Sequence, residues 1–156
     1  MVYYQNVRGL RTKLTEFSRK VALNDFSIIL LTETWLTSDF SDAELGLSNY
    51  DVFRNDRDVE LTGKTRGGGT LIAIHKTLES CILKPPNRNK KHEETWVKLR
   101  INNRVFIFCL SYFSPRGEED EYRSHHENIE FFANNYPNES LYIFGDYNLP
   151  EIEWKE

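Results

Sequence analysis

A chain of 156 residues, 39% hydrophobic and 13% aromatic, fits one domain or a large piece of one and carries enough apolar mass for a packed core. Its charged residues, 28% of the total, are interspersed rather than blocked, which excludes a disordered or low-complexity chain. The net charge of -4 and pI near 5.6 argue against a tight electrostatic clamp on nucleic acid, and less strongly against an enzyme that touches it briefly.

Taken in chain order, Val2 to Gln5 reads as a short strand ending at Asn6. Leu10, Leu14, Phe17 and Val21 follow helical spacing, so Arg11 to Leu23 is predicted as an amphipathic helix broken by Asn24-Asp25. Phe26 to Thr32 is a continuous apolar run suited to a strand buried on both faces, which completes a βαβ unit. Tyr50 to Arg54, Thr70 to His75, Ser80 to Lys84, Thr95 to Ile101 and Arg104 to Tyr112 are strand-like, and Asn102-Asn103 suits a tight hairpin turn because Asn tolerates positive φ. After Pro115, the acidic start Glu118 to Glu121 suits a helix N-terminus, with Tyr122, Ile129, Phe132 and Ala133 marking its inner face. Leu141 to Phe144 is the last strand, and a strand placed so late is expected to need neighbours on both sides, as Ile152 and Trp154 need a surface to pack on.

Cys81 and Cys109 both lie in apolar runs and read as small core residues, without metal-ligand or disulfide spacing. The N-terminus lacks the charge and apolar core of a signal peptide, and the longest apolar run is too short to span a membrane. An intracellular protein, in nucleus or cytoplasm and not secreted, is expected. The basic stretches Lys84 to Lys91 and around Arg54, Arg57, Lys64 and Arg66 read as solvated loop charge. Gly63-Lys64-Thr65 lacks the upstream glycine and the strand–helix setting of a phosphate loop, and Gly67-Gly68-Gly69 reads as backbone freedom for a turn into a strand. His92-Glu93-Glu94 lacks the second histidine of a zinc motif, and Glu94 is assigned no role.

Asn6, Glu33, Tyr112 and Asp146 each sit at the carboxyl end of an apolar strand, the edge at which α/β sheets bind ligands. Glu33 and Asp146 supply hard oxygen ligands of the kind magnesium or manganese prefers. Asn6 and Asn148 can donate to a phosphate oxygen or orient a water, and the Tyr112 hydroxyl can donate to a non-bridging oxygen. Such a set suits metal-assisted phosphoryl chemistry without a nucleophilic serine or cysteine.

The segments Gln5-Asn6-Val7-Arg8-Gly9-Leu10-Arg11-Thr12-Lys13, Leu31-Thr32-Glu33-Thr34-Trp35-Leu36, Ser111-Tyr112-Phe113-Ser114-Pro115 and Gly145-Asp146-Tyr147-Asn148-Leu149-Pro150 occur in that order. Together they resemble the motifs of the endonuclease/exonuclease/phosphatase superfamily, in the form carried by non-LTR retrotransposons. Tyr50 to Arg54 with Asp56-Arg57, Gly67 to Ile74, and Asn148 to Trp154 add to the likeness. The resemblance implies an α/β (α+β), DNase-I-like fold: a four-layer α/β sandwich with mixed β-sheets flanked by helices. It also implies that residues 1–156 are the N-terminal part of one domain, incomplete for want of the family's C-terminal Ser-Asp-His-type motif and the aspartate before it. His75, His92, His125 and His126 all lie upstream in the wrong context, with His125 and His126 expected at the surface of a helix. By the resemblance Glu33 is the metal ligand, Asn6 orients the site, Tyr112 contacts phosphate, and Asp146 and Asn148 position or deprotonate the attacking water and hold the phosphate. Arg8 stands where some relatives carry a further carboxylate. The implied activity is Mg- or Mn-dependent hydrolysis that nicks DNA, contacted transiently, alongside the reverse transcriptase part of a longer polyprotein. The alternatives are a truncated, inactive remnant that at most binds metal or nucleic acid, and a phosphatase acting on lipid headgroups or inositol phosphates.

Overall fold

The computed structural model describes residues 1–64, 66–87, 93–115 and 117–149. Its strands form two four-stranded sheets. The first contains β1 (Val2–Asn6), β2 (Ile28–Thr32), β3 (Tyr50–Asn55) and β4 (Thr70–His75) in the order β1-β2-β4-β3. β1 and β2 are parallel, and the crossover between them is a 3-10 turn, Arg11–Lys13, running into helix α1, Leu14–Ala22. The helix predicted from Arg11 thus begins three residues later. A short helix α2 (Val59–Thr62) separates β3 from β4. The second sheet takes β5 (Glu79–Leu83), β6 (Glu93–Ile101), β7 (Arg104–Tyr112) and β8 (Ser140–Asp146) in chain order, and helix α3 (Glu119–Asn135) carries the parallel crossover from β7 to β8. Asn102 and Asn103 turn the β6–β7 hairpin at φ of 47° and 64°, as their residue type foretells.

Two-residue alternation assigns each side chain to a layer. Ile28, Leu30, Ile72 and Ile74 of the first sheet pack face to face with Val97, Leu99, Phe108 and Leu110 of the second. The other face of the first sheet buries Ile29, Leu31, Leu71 and Ala73 under Phe17 of α1 and under Leu36, Phe40, Leu45 and Leu47 of the β2–β3 connection. The other face of the second sheet packs Trp96, Ile107 and Cys109 against Phe132 of α3. The result is helix, sheet, sheet, helix, the four-layer arrangement expected. β2 is buried throughout because it lies between two layers, and burying each of its four aliphatic side chains is worth about 1.5–3 kcal/mol.

Four expectations are corrected. Cys81 is exposed, because β5 is an edge strand with an alternating exposed face, while Cys109 is buried. Arg54 and Arg57 are not solvated loop charges: Arg57 is 8% exposed and ion-paired with Glu93, and Arg54 pairs with Asp42 and Asp56. The inner face of α3 is largely polar, with Glu121, His125 and Asn128 buried beside Phe132 and Ala133 exposed. His125 is therefore a core residue, and only His126 lies at the surface as expected. β6 begins at Glu93, earlier than predicted, which places Glu93 and Glu94 inside the sheet. β8 has β7 as its one partner among the described residues, and its Tyr142 is 46% exposed. Pro150, Ile152, Trp154 and His92 lie outside the described residues. No described helix is long and apolar enough to cross a membrane.

Candidate active site

The parity that builds the core also aims the polar residues. Tyr112 and Asp146 share parity with Leu110 and Phe144 and so face the first sheet, and they are direct partners in the β7–β8 register. Asn6 is the last residue of β1, beside Thr32 at the end of β2, and Glu33 follows immediately. Both sheets thus deliver their strand ends to one cleft.

The contacts across it are direct. Asn6 Nδ2 donates to Asp146 Oδ2 at 2.8 Å and lies 3.4 Å from Glu33 Oε1. Trp35 Nε1 donates to Glu33 Oε2 at 3.1 Å. Glu33 and Trp35 both adopt φ of 54°, a left-handed conformation that non-glycine residues rarely take and that clusters at functional sites. That double reversal turns the chain out of β2 and brings the carboxylate and the indole to the same point. Gly9, at φ 92°, completes the fit: a Cβ there would meet Trp35 Cε3 at 2.8 Å. Tyr112 is buried, opposite Asp146 in the β7–β8 register and within the field of the Glu33 carboxylate. Burial first, then the negative charge of Glu33, raise its pKa above the ordinary value of 10.0, so the hydroxyl keeps its proton.

Asn148 is held differently. Its Nδ2 donates to the Phe113 carbonyl at 2.7 Å, and its own φ is 48°. The backbone N–H of Phe113 in turn donates to the Asp146 carbonyl at 2.9 Å. The segment Asp146 to Asn148 is thereby pinned to the chain leaving β7. Asn6, Glu33 and Asp146 form one hydrogen-bonded set, Tyr112 lines the same cleft, and Asn148 braces it from the rim.

A divalent cation fits this cleft. Asn6 Oδ1 is buried without a hydrogen-bond partner, and the carboxylates of Glu33 and Asp146 converge on the same amide. The nearby cation, Arg57, lies 5.5 Å from the Tyr112 ring centre and is already matched by Glu93, its Nε donating to Glu93 Oε1 at 2.7 Å. Two carboxylates and an unused amide oxygen form a hard oxygen donor set. Glu94, Cys109 and His125 also bring three potential ligand atoms within 4.8 Å of one another, but behind the second sheet, facing α3. There Glu94 and His125 bond to one another and to Asn128 and Tyr147, and Cys109 bonds to Ser111.

Sequence reasoning missed Arg57, Glu93, Glu94 and His125. Arg57 also donates to Ser114 Oγ at 2.8 Å, so it ties the β3–β4 connection to the chain after Tyr112. Gly67, Gly68 and Gly69 all have positive φ, as a turn requires, and the room left at Gly68 is filled by the Arg57 guanidinium. The signal available was the pair Asp56-Arg57 ahead of three glycines. No described histidine enters the cleft. His75 stacks edge-on against Tyr50 at the opposite end of β4, His125 faces Glu94 and Tyr147, and His126 is on the surface.

This fold, two mixed sheets between helices with polar residues at their strand ends, is the DNase-I-like fold. The chain belongs to the Endonuclease/Exonuclease/phosphatase family, whose sequence profile matches residues 4–155. Among solved structures, the human Nocturnin catalytic domain with bound sulfate anion superposes with a TM-score of 0.70 at 12% identity, covering 96% of this chain and 64% of that one. D. rerio TDP2 complexed with a single-strand DNA product gives 0.56 at 18% identity, covering 96% and 61%. The endonuclease domain of TRAS1, a telomere-specific non-LTR retrotransposon, gives 0.64 at 16%, covering 94% and 58%. At these identities the likeness is one of fold, and the chain spans less than two thirds of each. A search of curated protein sequences returns no significant match.

Proposed function

We propose that this chain carries the metal-dependent phosphodiesterase site of a DNA endonuclease, of the type found in retrotransposon proteins, and that it nicks target DNA. The observation that carries this is the convergence of Asn6, Glu33, Tyr112 and Asp146 from two sheets into one cleft, in which Asn6 bonds to both carboxylates. Glu33, oriented by the Asn6 amide, would hold Mg2+ or Mn2+. The ion would polarise the phosphoryl group and steady the charge that develops on it. Asp146 would orient the attacking water and accept its proton. Asn148 would hold the phosphate, and the protonated Tyr112 hydroxyl would donate to a non-bridging oxygen.

The retrotransposon assignment is supported by the motif wording around Glu33 and Asn148 and by the fold shared with the TRAS1 domain. In this reading the partners are DNA, bound transiently, and the reverse transcriptase part of a longer polyprotein, within nucleus or cytoplasm. A second reading, a non-cleaving protein that binds metal or DNA, is favoured by the absence of any described histidine from the cleft.

Nicking of supercoiled plasmid in Mg2+, with Glu33→Ala beside the native chain, separates them. Nicking that is lost with chelator and lost in the variant supports the endonuclease. Undiminished nicking by Glu33→Ala refutes the site. A folded chain that binds DNA in Mg2+ without cutting it gives the second reading.

A further inference from the structure

Behind the second sheet lies a buried polar chain that the proposed reaction does not use. Glu94 on β6 is 9% exposed, and His125 on α3 is 4% exposed. His125 Nδ1 lies 2.8 Å from Glu94 Oε2, and its Nε2 lies 2.9 Å from the Tyr147 hydroxyl. Asn128, one helical turn on from His125, is fully buried and donates to the other oxygen of Glu94. Tyr147 is the residue between Asp146 and Asn148. Its ring stacks on Phe113 at 5.3 Å, and its carbonyl accepts from the Tyr122 hydroxyl at 2.9 Å.

A carboxylate that accepts from Nδ1–H fixes the imidazole tautomer and leaves Nε2 as an acceptor. The Tyr147 hydroxyl then donates to Nε2. The same logic orients metal-bound histidines through outer carboxylates, where losing the outer partner typically lowers affinity or activity about 10–100-fold.

We propose that His125 is a positioning residue, which with Glu94 grips the Tyr147 hydroxyl and so sets the aim of Asp146 and Asn148, its neighbours in the chain. The placement is economical in bonds. Asp146, the last residue of β8, bonds to Asn6 in the cleft while the Tyr147 hydroxyl reaches His125 on α3, so a hold on Tyr147 bears on both neighbouring side chains without occupying their donors or acceptors. The helix that bridges β7 and β8 thereby braces the site. This rests on the roles given above to Asp146 and Asn148.

The decisive variants are Tyr147→Phe, His125→Gln and His125→Asn. Tyr147→Phe keeps the ring stack on Phe113 and removes only the hydroxyl. Gln places its amide near the position of Nε2 and preserves the bond to Tyr147, while Asn preserves the bond to Glu94 and loses Tyr147. In plasmid nicking, Tyr147→Phe and His125→Asn are expected to lower kcat about 10–100-fold with KM for DNA nearly unchanged, and His125→Gln to recover most of it. The double variant Tyr147→Phe/His125→Asn should be no worse than either single, since both remove one bond.

Hydrogen exchange at the Phe113 amide, which bonds to the Asp146 carbonyl, reads the brace without activity. It should quicken in Tyr147→Phe and His125→Asn and not in His125→Gln. An active native chain whose Tyr147→Phe variant keeps its kcat and its Phe113 protection overturns the proposal and leaves the endonuclease assignment standing. A native chain that never nicks defeats that assignment, and the exchange pattern alone then decides whether the brace exists.

Discussion

The pair Arg57 and Glu93 joins the β3–β4 connection to the start of β6, and Glu93 lies directly opposite Tyr112 in the β6–β7 register. The two side chains are 6% and 3% exposed, with Arg57 Nε 2.7 Å from Glu93 Oε1. Changing Arg57 to Met keeps the apolar stem but removes the cation and both of its bonds to the buried Glu93 carboxylate, and it deletes the bond to Ser114. Removing one member of such a pair typically costs about 3–5 kcal/mol, whereas replacing both with apolar groups is often neutral or favourable. Urea unfolding reports the difference. With a slope of about 2 kcal/mol per molar, the midpoints of Arg57→Met and of Glu93→Leu should each fall by about 1.5–2.5 M. The double variant Arg57→Met/Glu93→Leu should regain most of that loss, giving a large coupling energy. Single variants that shift the midpoint by less than about 0.5 M, or a double variant equal to the sum of the singles, would show that the pair is not the strut described.

Further outcomes follow from the same geometry. Gly68→Ala would set a Cβ 2.5 Å from the Arg57 guanidinium at φ +72°, and the clamped guanidinium cannot retreat, so a loss of about 2–5 kcal/mol is expected. Gly63→Ala, at φ +62° with nothing within 4 Å, should lose only about 1–2 kcal/mol, and thermal melts of the two should differ accordingly. Tyr112 and Tyr147 both have pKa values raised above 10.0, chiefly by burial. The folded state therefore holds protons that the unfolded chain releases above pH 10, so their contribution to stability is complete below about pH 10 and declines as pH rises beyond it. Tyr112→Phe and Tyr147→Phe should each move the alkaline unfolding midpoint upward, and an unchanged midpoint would contradict the burial of those hydroxyls. Tyr112→Phe should also slow nicking about 10²–10³-fold, the usual effect of losing one aimed donor.

Much of this protein was legible from its residues. β2 declared itself by an unbroken apolar run, because a strand between two layers has no face on which polar residues are tolerated. Asn102-Asn103 declared the hairpin because few other residues adopt positive φ twice in succession. Asn6, Glu33, Tyr112 and Asp146 were visible because strand-end polar residues interrupt apolar patterns, and Asn148 because it stands in the motif that follows Asp146. The four-layer architecture was expected from the resemblance of the ordered motifs to a known family, and alternation along the strands shows how each layer is filled.

Other features depended on pairing between residues far apart in sequence. The inner face of α3 looked apolar by spacing, yet the sheet it covers presents Glu94 and Ser111 at that level, so the helix answers with His125 and Asn128 rather than with aliphatic residues. Arg57 resembled a loop charge until the fold brought Glu93, 36 residues away, against it. Cys81 resembled a core residue because nothing local distinguishes an edge strand from a central one. Period and residue type are local quantities, and they determined the strands, the turns and the cast of the cleft. Which charges are buried, and which helix braces the Asp146–Asn148 segment, was decided only when the register of the sheets set Glu93 and Glu94 beside their distant partners.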